Sequence, residues 1–433
     1  MNTNSNSVKR VLIDTTFLFD QYALRGIGKT GKELVFRLIP KLLEENYEVH
    51  LAGFHNLEKN LIQLGFSQFA IEEITQRIAF TSFGEPVPSG IRNILRWGKF
   101  FKPLIEDLRP DLFFATHFER GLPTADYLRK QLTYVPKTAV VCHDVIPLKT
   151  NKYTNKDLLR NNIKKFLYKL MWSGVKNADL IFTISEFSKQ EIASIPGVDE
   201  SNIKVIYWGI SESFYKSNIQ MEYDPELVDQ VLDFYQLKGL SYFYYDSGIE
   251  SNKGIFELID LYAHLKRTGN SKIPERLVIT GGDFFRGAGF SIKAKNTAAT
   301  RILKYASNMG VLESLVTTDR ISERDLLILL SNARFYINLS RYEGFGLGIA
   351  QAFASEVPVI ASNMSCYPEI SQNAALLINV DNISESANQT ISFIEDGNLI
   401  KNNVKKGAQV VQKYNWELTA DQYFDAIKNL LSK

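Results

Sequence analysis

Residues 340–351 have the sequence SRYEGFGLGIAQ. In this stretch an acidic residue, Glu343, comes directly before a glycine-rich turn, and a helix-like apolar run from Ile349 to Ala354 follows. That order places backbone N–H groups and the positive end of a helix beside a carboxylate. The N–H groups suit a phosphate, and the carboxylate suits the hydroxyl groups of something attached to it. The stretch therefore predicts a site for a nucleotide sugar, in which a phosphate and a polyol stand side by side.

The composition is that of a globular protein, with 45% hydrophobic and 12% aromatic residues. At 433 residues the chain is too long for one ordinary core, so we expect two domains. There is no run of about 18 apolar residues and no charged-then-apolar start, so we expect neither a transmembrane helix nor a secretion signal. The two cysteines, Cys142 and Cys366, stand far apart and in no metal-ligand spacing. They indicate a reducing cytoplasm, without a disulfide framework or a zinc site.

Short apolar runs alternate with helix-like segments along the chain. They fall at 11–14, 49–53, 112–115, 139–142, 180–184 and 205–207, and then at 242–245, 277–280, 335–337, 357–360 and 375–378. Continuous apolar strands separated by helices are typical of parallel sheets covered on both faces. The fold class is therefore α/β, with two doubly wound, Rossmann-like domains facing a central cleft. Ligands in such folds bind at the carboxyl ends of the strands.

The strand pattern lapses in a polar stretch between about Ser211 and Gly239, which predicts the domain boundary. We expect an N-terminal domain over 1–215 and a C-terminal domain over 216–412. The remaining segment, 413–433, contains a helix with an apolar stripe that includes Tyr423 and Ile427. We predict that this closing helix packs back on the N-terminal domain.

Several short motifs follow one another in a fixed order. The turn EGFGL at 343–347 is followed by PVIAS at 358–362 and YPE at 367–369, and the others are GIGK at 26–29, HDVIP at 143–147, AD through SEFS at 178–188, KG at 253–254 and WE at 416–417. Together these motifs resemble those of the retaining glycosyltransferases of GT-B fold, family 4, also called group 1. Each motif is weak alone, whereas the ordered set is a strong indication of the fold. Two of the motifs, at 26–29 and 143–147, lean slightly toward the mannosyltransferase-like members.

The resemblance implies roles for the residues that match the family's motifs. The catalytic residues would be His143, Lys253 and Glu343, and the donor-binding residues would be Gly28, Gly344, Phe345, Gly346, Leu347 and Gln351. The first domain would be the acceptor side, and the second would hold the nucleotide-sugar donor. No D-x-D motif stands in a suitable setting, so we expect no metal. We also expect no cofactor, since the nucleotide-diphosphate sugar is itself a co-substrate.

Each of these residues has a structural alternative. Glu343 would then favour the next helix through its dipole, Lys253 would be a solvated lysine, and His143 would be a satisfied histidine at a strand end. Gln351 would serve only helix packing. The other histidines are interpreted as structural, with the least support at His117, which also follows a strand.

Three positions depart from the family's pattern. Gln351 stands where a second glutamate usually binds ribose, so binding there would be weaker by about 1 kcal/mol. Gly248 stands where many members carry an arginine on the diphosphate, and Gly348 stands where proline is usual. The candidates to replace the missing cation are Arg286, Arg320 and Arg341.

A further segment predicts where the protein is located. On a helical wheel of residues 91–104, four cations fall opposite an apolar side; they are Arg92, Arg96, Lys99 and Lys102. This pattern is typical of an interfacial membrane helix, and the alternative is a surface helix packed on the sheet. Residues 1–210 carry 28 Lys and Arg against 22 Asp and Glu, and the remainder carry 22 against 26. A basic first half fits an anionic membrane surface or a phosphorylated acceptor, although an excess of this size is also ordinary.

The sequence therefore predicts transfer of a hexose from a nucleotide-diphosphate sugar to a hydroxyl of a glycan or lipid-linked glycan. We expect a role in surface polysaccharide or glycoconjugate synthesis, in the cytoplasm or at the inner face of the membrane, and no nucleic-acid partner. The alternative from another class is a catalytically inactive GT-B subunit that binds glycan or supports a partner enzyme. A third interpretation keeps the fold and changes the reaction to epimerisation or phosphorolysis, which the EGFGL turn disfavours.

Overall fold

The structure, a computed structural model, describes residues 8–19, 26–53, 59, 61–62, 67, 75–83, 101–117, 132–146, 172 and 174–433. The chain divides into two compact units. The first comprises Met1–Gly209 together with Trp416–Lys433, and the second comprises Ile210–Asn415. The predicted divisions were after residues 215 and 412. Residues 210–215 and 413–415 belong instead to the second unit. There the Ile210 N–H donates to the Tyr414 carbonyl oxygen at 2.8 Å.

The first unit contains a parallel sheet. Its described strands are β1 (Arg10–Asp14), β2 (Glu48–Gly53), β3 (Ile78–Ser82), β4 (Leu112–Ala115), β5 (Lys137–Val141), β6 (Leu180–Thr183) and β7 (Ile203–Val205). They pair in the order β3-β2-β1-β4-β5-β6-β7, with Val11 opposite Val49 on one side and Leu112 on the other. Buried positions alternate little along the central strands, as expected for a sheet covered on both faces.

Two elements of this unit differ from the prediction. The last strand is Ile203–Val205 instead of 205–207. Its pairing with β6 ends at Val205, which lies opposite Thr183, and the Ile206 N–H donates to the Thr183 carbonyl. The first helix runs over Gly26–Glu44, so the predicted glycine-rich loop at 26–29 is already helical. Residues 20–25, which precede it, lie outside the described part of the chain.

The closing helix, Trp416–Ser432, belongs to the first unit, as predicted. Tyr423 and Ile427 on its apolar stripe are fully buried. Ion pairs join its polar edge to the Gly26–Glu44 helix, including Lys41 to Asp421 at 2.7 Å. The Thr419 hydroxyl also donates to the Tyr207 carbonyl at 2.8 Å. Further helical segments described in this unit include 101–108, 174–176 and Glu186–Ala193.

The second unit contains a second sheet, whose strands are β8 (Tyr242–Tyr245), β9 (Arg276–Ile279), β10 (Gly287–Ala288), β11 (Leu315–Thr317), β12 (Phe335–Asn338), β13 (Val359–Ser362) and β14 (Leu376–Ile378). The order is β10-β11-β9-β8-β12-β13-β14, and every pairing is parallel except that of the edge strand β10 with β11. The helices are Lys216–Glu222, Pro225–Phe234, Ile255–Arg267, Thr297–Asn308, Glu323–Ser331, Leu347–Ala354, Tyr367–Ser371, Ile383–Glu395 and Gly397–Val410. The predicted α/β class with two doubly wound sheets is confirmed.

The predicted interfacial helix is only partly within the described residues, because 91–100 lie outside them. Its described end, from 101 onward, is helical, and Phe101 is fully buried there. The Phe101 ring packs on Phe113 of β4 and on Phe83, with centroid distances of 5.2 and 5.1 Å. This end therefore packs on the sheet. Within the described residues, none of the helices combines the length and apolar character that a membrane crossing requires.

Candidate functional site

Lys253 and Glu343 come together at the carboxyl edge of the second sheet. Lys253 follows β8, Glu343 follows β12, and these two strands are neighbours in the sheet. Lys253 Nζ lies 2.7 Å from Glu343 Oε1 in side chains that are 21% and 14% exposed. The same family resemblance pointed to both residues, and the topology of the sheet places them in one ion pair.

The turn that carries Lys253 is held against the turn that carries Glu343. The Asn252 amide donates to the Tyr342 carbonyl at 3.0 Å, and the Arg341 N–H donates back to the Asn252 carbonyl at 2.8 Å. Gly254 has a φ of +66°, and a Cβ there would lie 2.0 Å from the Leu339 carbonyl oxygen. Only glycine permits both this backbone conformation and this close approach. The position of Lys253 is therefore fixed by the backbone.

The helix Leu347–Ala354 begins beside this ion pair. Gly346 precedes it with a φ of +82°, and a Cβ there would lie 2.6 Å from the Tyr367 ring. No side chain caps this helix among the described residues, so Glu343 is not its hydrogen-bonded cap. The helix start, with its partial positive charge, follows Glu343 by four residues in the chain, and such a place favours an anion.

The predicted donor-binding residues differ in what they expose. The Phe345 ring is buried and packs edge-on against Tyr414, with centroids 5.3 Å apart, so its side chain serves the core. Gly344, Gly346 and Leu347 contribute backbone at the turn. Gln351 is half-buried in the helix, and within the described residues its side-chain amide makes no hydrogen bond. It therefore has an unused donor and acceptor.

A half-buried carboxylate, Asp246, was missed by the sequence prediction. The Tyr336 hydroxyl donates to Asp246 Oδ1 at 2.7 Å, and the Asn338 amide donates to the Tyr336 oxygen at 3.1 Å. Burial raises the pKa of the Asp246 carboxyl, and the hydrogen bond from Tyr336 opposes that shift. Asp246 comes directly after the buried strand β8, and an acid at that position was the available signal.

The same network accounts for Gly348. A Cβ at this position would lie 2.0 Å from the Tyr336 hydroxyl oxygen and 3.0 Å from Asp246 Oδ1. The space that a proline ring would fill near the helix start is thus occupied by Tyr336. The departure from the family's pattern at 348 has a local steric reason.

The missing cation at Gly248 is not supplied by Arg341. Gly248 has a φ of +78°, and the Tyr245 hydroxyl donates to its carbonyl at 2.6 Å. Arg341 pairs instead with Glu257 at 2.7 Å and with Asp381 at 2.8 Å. Arg286 donates to the Phe234 carbonyl, and Arg320 lies beside Gly282. Of the described residues, Lys253 is thus the cation in contact with Glu343.

His143 lies in the first unit, directly after β5. Its side chain is 3% exposed, and its Nδ1 has no hydrogen-bond partner among the described residues. The ring packs between His117 and Trp208, with centroid distances of 5.0 and 5.1 Å. Burial lowers the pKa of His143 to about 3, so the imidazole is neutral at physiological pH. The sequence prediction did not include Trp208 and interpreted His117 as structural; both rings pack on His143.

Other predicted features of the site are simpler. Gly28 is buried in the first turn of the Gly26–Glu44 helix. Cys142 and Cys366 are both buried, and neither forms a disulfide among the described residues. In the part of the chain that the structure describes, no group of three or more His, Cys, Asp or Glu residues is arranged to hold a metal ion.

Comparison with known protein families assigns both halves of the chain. The profile described as Glycosyltransferase Family 4 matches residues 33–214, and the profile described as Glycosyl transferases group 1 matches residues 238–410. The chain belongs to the family 4 glycosyltransferases. The second match contains Lys253, Glu343 and Gln351, and the first contains His143, whereas Gly28 precedes the first matched segment of this family 4 glycosyltransferase.

Two relatives of this family 4 glycosyltransferase come from Escherichia coli. The serotype-specific mannosyltransferase WbdA is 24% identical over 83% of this chain and 41% of its own length. The O-antigen chain mannosyltransferase B is 24% identical over 66% of this chain and 69% of its own. The chain thus spans about two fifths of the length of WbdA.

Solved structures share the fold. The Anabaena protein HepE in complex with UDP-glucose superposes with a TM-score of 0.66 at 14% identity, over 97% of this chain and 99% of HepE. This likeness supports the GT-B architecture of the family 4 glycosyltransferase, and at this identity it shows the fold alone.

Proposed function

We propose that the protein is a retaining glycosyltransferase that moves a hexose from a nucleotide-diphosphate sugar to a hydroxyl of a glycan acceptor. The observation that carries this proposal is the ion pair of Lys253 and Glu343 beside the helix start at Leu347. A cation and a helix N-terminus suit a diphosphate, and a carboxylate suits sugar hydroxyls. These are the two parts of the donor.

The reaction breaks the bond between the anomeric carbon and the diphosphate oxygen, and forms a bond from that carbon to the acceptor oxygen. In the front-face route, the departing phosphate oxygen takes the proton of the incoming hydroxyl. Lys253 and the N–H groups near Gly346 and Leu347 would stabilise the charge that develops on the diphosphate. Glu343 would hold hydroxyls of the transferred sugar. No metal ion and no cofactor is required by this route.

His143 would orient the donor sugar as a neutral imidazole. Its Nδ1 lacks a partner within the described residues, so it can exchange a hydrogen bond with a sugar hydroxyl. Because burial lowers the pKa of His143 to about 3, it would not place a positive charge next to a developing oxocarbenium ion. Gln351, whose amide makes no hydrogen bond within the described residues, would bind ribose.

We infer mannose as the transferred sugar and a surface polysaccharide as the product. The two E. coli relatives are named mannosyltransferases, and one is an O-antigen chain enzyme. The acceptor would be a glycan or lipid-linked glycan, and the protein would work in the cytoplasm, peripherally at the inner face of the membrane.

A thermal-shift panel tests the proposal. GDP, UDP, ADP, GDP-mannose and UDP-glucose are added to the purified chain with and without magnesium, and any donor that binds is then followed for hydrolysis. A ligand raises the melting temperature in proportion to the logarithm of its concentration over Kd, so weak donors register at millimolar concentration. We expect one base to be preferred, and the shift to be lost in Lys253→Met but kept in Lys401→Met, an exposed lysine of the same unit.

The absence of any shift with any nucleotide would overturn the proposal. Binding without hydrolysis or transfer would favour the alternative, a non-catalytic GT-B subunit. That alternative is motivated by Gly248 and Gln351, which remove one cation and one carboxylate from the family's pattern.

A further inference from the structure

A pocket lies in the second unit, and none of the predicted donor-binding residues lines it. Its volume is about 530 Å³, and it lies between the end of the Pro225–Phe234 helix, the segment 285–293 and strand β11, the neighbour of the edge strand β10. Ligand sites are commonly pockets of about 300–1,000 Å³, so this one is large enough for two or three sugar rings.

The pocket is built on a fixed hairpin. β10 pairs antiparallel with β11, the Phe285 N–H donates to the Lys293 carbonyl at 2.8 Å, and the Thr317 hydroxyl donates to the Phe285 carbonyl at 2.9 Å. Phe284 is 1% exposed and anchors the hairpin in the core. Because the hairpin is already ordered, ligand binding here costs little conformational entropy of the protein.

Two aromatic rings form apolar walls of the pocket. Phe234 is 53% exposed and Phe285 is 49% exposed, which is unusual for rings of this size. The Arg286 guanidinium lies 3.8 Å above the Phe234 ring and donates one hydrogen bond to the Phe234 carbonyl at 2.8 Å. This stacking orients the guanidinium group and leaves its remaining N–H donors available to a ligand.

Two positively charged side chains line the pocket. Arg286 and Lys293 line it, no aspartate or glutamate does, and neither cation forms an ion pair within the described part of the chain. The Gln236 side chain adds a polar group that makes no hydrogen bond to described residues. Guanidinium and ammonium groups without carboxylate partners are suited to carboxylates and phosphates of a ligand.

We propose that this pocket, which we call the hairpin pocket, binds a segment of an anionic saccharide. The apolar faces of sugar rings would pack on Phe234 and Phe285, and the acidic groups would bind Arg286 and Lys293. The choice of a saccharide among anions rests on the proposed function, since a glycan is the acceptor there. A site of this kind would hold a growing acidic polysaccharide away from the donor residues.

Titration calorimetry on the full chain tests the proposal, with a tetrasaccharide of mannuronate as the probe and neutral mannotetraose as its matched control. We expect the uronate to bind at low salt, to weaken as salt rises, and to bind about tenfold tighter than mannotetraose. Arg286→Ala and Lys293→Ala should each weaken the uronate by about tenfold. Phe285→Ala should weaken both sugars.

Two variants serve as controls. Phe290→Ala removes an aromatic ring of the same hairpin that is 72% exposed and does not line the pocket, and Lys405→Ala removes an exposed lysine elsewhere in the unit. Both should bind the uronate like the wild type. If the wild type does not bind the uronate, or if both cation variants bind it unchanged, the proposal is wrong.

Two further measurements separate the alternatives. Sedimentation with vesicles of anionic phospholipid that depends on Arg286, without binding of soluble uronate, would assign the surface to a membrane and overturn the proposal. Nucleotide thermal shifts are recorded on the same variants, and we expect them to be unchanged. If the wild type binds no nucleotide, the result counts against the proposed function. If the wild type binds a nucleotide but no uronate, the result counts against the hairpin pocket alone.

Discussion

Lys253 Nζ and Glu343 Oε1 form an ion pair, 2.7 Å apart, between two turns that follow neighbouring strands. Each side chain is mostly buried, so the two charges compensate each other where water gives little help. A diphosphate that binds Lys253 would compete with Glu343 for the same ammonium group. The two residues should therefore affect nucleotide binding in opposite directions, although both are needed for transfer.

Substitution of each partner separates these effects. We expect Lys253→Met to weaken nucleotide-diphosphate binding by about tenfold or more, because a charge-assisted contact is lost. Glu343→Gln should bind the nucleotide as tightly as the wild type or tighter, since Lys253 loses its competitor. The same variant should slow transfer by about 100-fold, because it removes a contact to the reacting sugar. Calorimetry with the nucleotide and an assay of donor consumption measure the two effects.

One result of the calorimetry would contradict the expected opposite effects of the two substitutions. If Glu343→Gln weakens the nucleotide as much as Lys253→Met does, the carboxylate acts by holding the lysine in place. Its role would then be structural. Lys401→Met, which changes an exposed lysine of the same unit, should leave both measurements unchanged.

This ion pair also shows what the sequence can predict. Apolar runs located most strands, and ligands were expected at the carboxyl ends of those strands. The pairing of β8 with β12 brings Lys253 to Glu343 although 90 residues separate them. The edge strand β10 is only Gly287–Ala288, too short to give a pattern, and β3 was not recognised.

Other parts of the site depend on three-dimensional packing that no local pattern contains. The steric reason for Gly348 is the hydroxyl of Tyr336, a residue on a different element. The environment of His143 is set by His117 and Trp208, which come from other loops. A motif identifies such positions, and only the fold shows what surrounds them.

Gly254 offers a test of the close backbone approach that positions Lys253. Gly254→Ala should destabilise the protein by about 3 kcal/mol or more, because its Cβ would meet the Leu339 carbonyl at 2.0 Å. Gly269→Ala is a matched control, since Gly269 has the same φ of +66° and nothing within 4 Å of its Cβ. That variant should cost only about 1 kcal/mol of backbone strain. Urea unfolding followed by circular dichroism measures both, and equal losses would show that φ alone matters.

Gly348 and Tyr336 should be coupled. Gly348→Ala places a Cβ 2.0 Å from the Tyr336 hydroxyl oxygen, so we expect a loss of about 2 kcal/mol or more. Tyr336→Phe removes that oxygen and also the hydrogen bond to Asp246, so alone it should cost about 1 kcal/mol. The double variant should be more stable than the sum of the two single losses predicts. Strict additivity in urea unfolding would mean that residue 348 does not contact Tyr336.

His143 should make the first unit sensitive to acid. Its pKa is about 3 in the folded protein and about 6.5 in the unfolded chain, so below pH 6.5 the unfolded chain binds a proton that the folded protein does not. The contribution of the neutral imidazole to the free energy of unfolding is complete above pH 6.5. It is lost as the pH falls toward 3, by about 1.4 kcal/mol per pH unit. Between pH 7 and 5 the wild type should lose about 2 kcal/mol more than His143→Phe, which keeps a ring and cannot titrate.

All four tryptophans lie in the segments of the first unit, so their fluorescence during urea unfolding reports on the unfolding of that unit. Equal losses in the two proteins would show that His143 takes up its proton in the folded state as readily as in the unfolded chain.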